Sequence, residues 1–176
     1  MKPVLLLPLV AAVILTGCET PTPSLLSLES AATSQETLDR SLTGVWASDD
    51  AERICIIRAK ESAYEIGYIS GDSPRGFSAR LIRAGDARIL ELRPDGEDDF
   101  SVVGYSYARV WTEGNGLRWA FLDSAWFKEQ LAPLPKHTND EHVLLLAPGV
   151  AVRAALEKYG TDERACSTQV TWQRMQ

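Results

Sequence analysis

Few residues of this chain are suited to covalent or metal chemistry. It holds two histidines, His137 and His142, and three cysteines, Cys18, Cys55 and Cys166, among 176 residues. Histidines that share a metal on a helix stand at i and i+4; these two stand at i and i+5, with no third ligand in register, so a surface loop is expected and not a zinc site. Asp95, Glu97, Asp98 and Asp99 lack the spacing of a calcium loop and read as a solvated acidic turn. A cluster of basic residues is also missing, and the formal charge is −6. That balance argues against nucleic acid as a partner and against electrostatic docking on anionic lipid. No catalytic residue, metal or cofactor is expected.

A membrane-spanning run is absent too. Val4 to Leu15 (VLLLPLVAAVIL) is apolar, but as a helix it would reach only about 18 Å. The hydrocarbon core is about 30 Å thick, and Pro8 would weaken such a helix further. Lys2, the apolar centre and the small residues that follow have the order of a cleavable secretory signal, residues 1–17. Leu15-Thr16-Gly17-Cys18 is similar to the lipobox of bacterial lipoproteins. That resemblance implies a diacylglyceryl group on the Cys18 sulfur, cleavage before Cys18, and acylation of the new amine. Two or more acyl chains make such an attachment stable. Glu19 stands where the family's inner-membrane retention signal would place aspartate. The implied address is therefore the cell envelope, at the periplasmic face of the outer membrane.

Loss of Met1–Gly17 removes one lysine, Lys2, and takes the net charge from −6 to −7. Residues 18–41, opening with the proline-bearing ETPTPS, read as a lipidated tether with a possible short helix through Leu28, Ala32, Gln35, Leu38 and Leu42. Residues 42–176 suffice for one domain. In an oxidising compartment Cys55 and Cys166 invite a disulfide closing a long loop; the alternative is two buried, reduced thiols.

From Leu42 on, short alternating segments are divided by turn residues. Strands are expected at 44–47, 53–59, 63–70, 77–83, 88–93, 102–112 and 117–122, with loops such as GDSPRG and PDGEDD between them. Leu117, Trp119 and Phe121 alternate with Arg118 and Ala120; Ile89, Glu91 and Arg93 alternate with Leu90 and Leu92. Asp123 or Ser124 can cap a helix bearing Trp126, Phe127, Gln130 and Leu131. An apolar strand at 142–147 follows, then a helix from Pro148 with Val152, Ala155, Leu156 and Tyr159 on one stripe, ended by Gly160 as a C′ glycine. Ser167–Arg174 forms the last strand. The expected fold is mainly β (α+β): an antiparallel meandering barrel or half-barrel of eight or nine strands, with two helices inserted before the last strand.

Gly71-Asp72-Ser73 is similar to the nucleophile segment of trypsin-like proteases, but Pro74-Arg75-Gly76 replaces the oxyanion-hole glycines, so a hairpin turn is expected. Ser41–Trp46 (SLTGVW) resembles the Gly-x-Trp opening of lipocalin-like barrels. In that superfamily the tryptophan closes one barrel end against a late basic residue, which implies closure by Gly44, Trp46 and Arg174. The helix, strand and helix before the last strand depart from the plain lipocalin order. Residues 142–166 also resemble the C-terminal part of uncharacterised bacterial envelope lipoproteins, a family that brings no activity with it. Tyr105, Tyr107 and Trp111 share one face of their strand, and Trp119 and Phe121 share one face of the next. They either line an apolar pocket for a hydrophobic small molecule or fill the core. The expected role is non-catalytic: binding an apolar small molecule or an envelope protein, with the membrane as partner through Cys18. Some small secreted inhibitors share a Gly-x-Trp start and a nearby cysteine, here Cys55, so inhibition of an envelope protease or lysozyme is the alternative. An enzyme is the remaining one, and a cleft holding His142 beside two acidic groups would mark it.

Overall fold

The computed structural model describes residues 24–33, 37–96, 104–138 and 142–175. Signal segment, lipobox and Cys18 lie outside the described residues, as do Gln35, Glu97, Asp98, Asp99, Asp140 and Glu141. Among the described residues eleven strands form one sheet: β1 (Leu25–Ser27), β2 (Gly44–Ala47), β3 (Arg53–Lys60), β4 (Ala63–Ser70), β5 (Ser73–Ala84), β6 (Ala87–Pro94), β7 (Tyr105–Glu113), β8 (Gly116–Phe121), β9 (Lys136–Thr138), β10 (Val143–Leu145) and β11 (Val170–Arg174). Eight of them close into an antiparallel barrel, β2-β3-β4-β5-β6-β7-β8-β11, with β11 pairing back onto β2 and β6 joining β7. Helices α1 (Ser124–Gln130) and α2 (Gly149–Tyr159) precede β11, as the sequence led one to expect.

Tight hairpins set the register. Ser70 pairs with Ser73 across Gly71-Asp72, and Gly71 adopts φ +58°, which a glycine at the first central position tolerates. The loop foreseen over GDSPRG is therefore only its first two residues; Ser73 to Gly76 already belong to β5, where Pro74 pairs with Ile69. Along the barrel strands every second residue points inward. Ile57, Ile66, Leu81, Leu90, Val110, Leu117, Trp119 and Trp172 all belong to one buried cluster, which fills the interior. An eight-strand barrel is just wide enough for such a filling.

A second core lies outside the wall. Ile82, Ala84, Ile89 and Tyr107, on the outer face of β5 to β7, pack with Phe127 and Leu131 of α1, Val152 and Leu156 of α2, and Leu25, Val143 and Leu145. Asp123 caps α1 by accepting from the amides of Ala125 and Trp126. Gly160 ends α2 in right-handed backbone, not in the left-handed form of a C′ glycine. Its small size matters instead, since a Cβ there would meet Ile89 Cδ1 at 2.6 Å.

The segment before Leu42 departs from the tether-and-helix expectation. Leu25–Ser27 is a strand, parallel to β10 and antiparallel to the first residues of β7, where β8 has already left the sheet. Ser24 is fixed as well: its carbonyl accepts from the Val143 amide at 2.9 Å, and its hydroxyl accepts from the Ser124 amide at 3.1 Å. Arg40–Leu42 forms one turn of 3-10 helix. The described residues from Ser24 to Ser27 are thus built into the domain.

Candidate functional site

One barrel end is sealed by the Gly-x-Trp segment. Trp46 is buried and its indole N–H donates to the Leu42 carbonyl at 3.0 Å. Arg174 lies over the Trp46 ring with its guanidinium carbon 4.2 Å from the centroid, and donates to the carbonyls of Thr43 and Ser41 at 2.8 and 2.9 Å. Gly44 sits at φ +148°, and a Cβ there would lie 2.5 Å from Arg174 Nη1. Only glycine leaves room for this lock, so the three residues come together as the lipocalin resemblance implies.

The same end carries an ion cluster. Arg88 donates to Asp39 Oδ2 at 2.9 Å and to the Thr112 hydroxyl at 2.9 Å, while Tyr64 and the Asp39 backbone exchange hydrogen bonds. Burial works against ionisation of Asp39, but Ser41 and the Arg88 guanidinium outweigh it and hold the carboxyl below its ordinary value. A carboxylate lowered by folding stabilises the fold above its unfolded value, near 4, and that stability is lost as pH falls through the folded value. We therefore expect urea midpoints to decline below about pH 4 and Asp39→Asn to flatten part of that decline. Equal acid limbs in the two proteins would contradict the coupling.

The five aromatic residues do not share a pocket. Trp119 and Phe121 point into the barrel, with ring centroids 5.9 Å apart, joined by Tyr68 and Trp172. Tyr105, Tyr107 and Trp111 lie on the other side of the wall. The reason is register: Ala108 and Val110 take the inward positions of β7. Tyr107 exchanges a 2.6 Å hydrogen bond with Ser27, and burial pushes its hydroxyl pKa up. Trp111 stacks outside between Arg109 and Arg118, whose guanidinium carbons stand 4.8 and 5.4 Å from its ring.

The expected disulfide is absent: Cys55 and Cys166 are free. Cys55 points into the barrel cluster, whereas Cys166 packs against the outer core beside Arg109, so the wall separates them. Burial pushes the Cys55 thiol up to about 12. Thiolate is the reactive form, so Cys55 should resist alkylation at pH 8 in the folded protein, and both thiols should react in urea without reductant. Rapid native labelling of Cys55, or loss of both thiols in urea, would refute this.

Sequence reasoning did not anticipate Glu91. It lies on the outer face, yet it is 2% exposed. Its carboxylate accepts from the Ser30 hydroxyl at 2.6 Å and from the Ala31 and Ala32 amides at 2.5 and 3.2 Å. Beside it a groove of about 450 Å³ runs between Ser78, Arg80, Arg93, Asp95 and Tyr105. Asp95 is held by Ser78 at 2.7 Å, and Glu91 by Ser30, Ala31 and Ala32 of the arm that follows β1, which leaves the guanidinium groups of Arg80 and Arg93 without an ion pair among the described residues. The histidines stay apart from this groove: His137 is exposed on the short β9 and His142 precedes β10.

No protein-family model matches the chain, and no curated protein and no solved structure matches it either.

Proposed function

We propose that the chain is a lipid-anchored envelope protein, acylated at Cys18 and facing the periplasm from the outer membrane, whose barrel is a non-catalytic binding domain. One observation carries the mode of binding: the barrel interior is occupied by its own buried side chains, Trp46, Tyr64, Trp119 and Trp172 among them. A cup for an apolar small molecule needs several hundred cubic ångströms of enclosed space. The features suited to a partner stand on the outer wall instead, where Trp111 lies between two arginines and Arg80 and Arg93 flank the groove. Tryptophan and arginine are the residues that most often dominate protein interfaces, so the favoured partner is an envelope protein presenting acidic groups. Titration with fluorescent fatty acids tests the choice. No saturable uptake is expected, and saturable binding that displaces Trp119 emission would restore the cup.

A further inference from the structure

Where β1, β10 and β9 extend the sheet beyond the barrel, one face is buried and the other, among the described residues, is half-buried to exposed. Leu25 and Ser27 of β1 and Val143 and Leu145 of β10 are buried against the outer core. Alternation turns Leu26 and Leu144, which stand side by side in the parallel register, to the opposite side. Leu28 and Leu146 follow on that same side, joined through the Leu28 amide to Leu145 carbonyl bond of 3.3 Å, and are 43% and 49% exposed. Val150, in the first turn of α2, is 77% exposed. Glu29, next to Leu28, accepts from the Gly149 amide at 3.0 Å and so holds that turn beside the leucines. Three of the five large hydrophobic residues exposed among the described residues thus gather on one flank. Isolated exposed leucines are ordinary; a contiguous group marks a contact surface.

Chain length selects the occupant. Six residue steps separate Cys18 from Ser24, and the hydrogen bonds of Ser24 to Val143 and Ser124 fix it in the fold. Fully extended, those steps reach about 20 Å; as a flexible coil they average about 13 Å. Leu26 lies two residues beyond Ser24 on the very strand the tether enters. We propose that this leucine face rests in the surface of the bilayer that holds the lipid anchor, giving the protein a second, apolar attachment and turning the Trp46–Arg174 end of the barrel toward the periplasm. This rests on the reading of Cys18 as acylated. The contact is apolar, which suits a processed chain of net charge −7 once Lys2 is lost, and such faces settle about 5–10 Å into the headgroup boundary.

The test uses the full chain, purified from membranes and returned to vesicles of phosphatidylethanolamine and phosphatidylglycerol. Nitroxide labels are placed through Leu28→Cys, Leu146→Cys and, as a control at the far hairpin, Asn115→Cys, each in a Cys166→Ser background; Cys55 is too deeply buried to compete. Intact mass reports acylation of Cys18 in the same samples. Labels at 28 and 146 should lose access to a water-borne nickel relaxant and gain access to oxygen, in high salt as in low, while the label at 115 shows the reverse. An acylated protein whose labels at 28 and 146 are as wet as the one at 115 overturns the membrane face alone. Dipolar broadening between copies at position 28 would assign the face to a second copy of the chain and overturn it as well. An unmodified Cys18 removes the tether, and the anchor reading falls with it.

Discussion

Glu91→Ala will lower the unfolding free energy by about 3–5 kcal/mol and free the arm around Ala31 from the barrel wall. The carboxylate is buried and satisfies one hydroxyl and two backbone amides of the arm, with the Tyr107 hydroxyl a further 3.5 Å away. Ala31 is itself buried, so its amide cannot turn to water when the carboxylate goes. Each buried donor left unpaired costs about 1–3 kcal/mol, and no buried countercharge remains to add to the loss. Glu91→Gln preserves the shape and one carbonyl acceptor, and should cost markedly less. Urea unfolding with amide exchange at Ala31 and Ala32 measures both quantities. A loss under about 1 kcal/mol with unchanged exchange would show that packing of Leu25 and Ala31, not the carboxylate, holds the arm.

The barrel was legible because its strands alternate cleanly and its turns are marked. In β8, Leu117, Trp119 and Phe121 face inward as their period requires. Gly44, Trp46 and Arg174 were legible through the resemblance that links them, although Thr43 and Arg174 are 131 positions apart where they meet. What stayed hidden depends on the second core. Alternation says which residues of β7 share a face; it does not say which face is inside when both are covered. Helices α1 and α2 cover the outer face near Tyr107, so both sides of that strand are buried from Ser106 to Ala108. The aromatic set was therefore split by the wall, and the two cysteines with it.

Glu91 was hidden for the same reason. In Ile89-Leu90-Glu91-Leu92-Arg93 it looks like a solvent-side residue of an amphipathic strand, and its partners lie about sixty positions earlier in a segment whose leucines imitate helical spacing. Three residues make a weak strand signal, and β1 forms only because β10 and β7 offer free edges. Local propensity carries little weight against edges supplied by distant sequence.

Trp172→Ala should unfold a large part of the population, with a loss of about 3–5 kcal/mol. Trp172 is 1% exposed and meets Tyr68 and Trp119 edge-on at 5.9 and 6.0 Å. It also lies under Arg53, whose guanidinium carbon stands 5.9 Å from the ring. Truncation opens a cavity between two strands, β11 and β8, that pair in fixed register from Val170 to Gln173, so the wall cannot collapse to fill it. The indole N–H has no hydrogen-bond partner among the described residues, which makes Trp172→Phe a sharp comparison. Phenylalanine keeps the apolar contact, gives up some volume and removes a donor that no neighbour accepts from, so it should cost about 1 kcal/mol. Thermal and urea unfolding of the two variants separate these contributions. If phenylalanine proves as damaging as alanine, the strength of the interior lies in a bond made by that N–H; if both are mild, the interior is loosely filled and the reading of a closed, self-packed barrel fails.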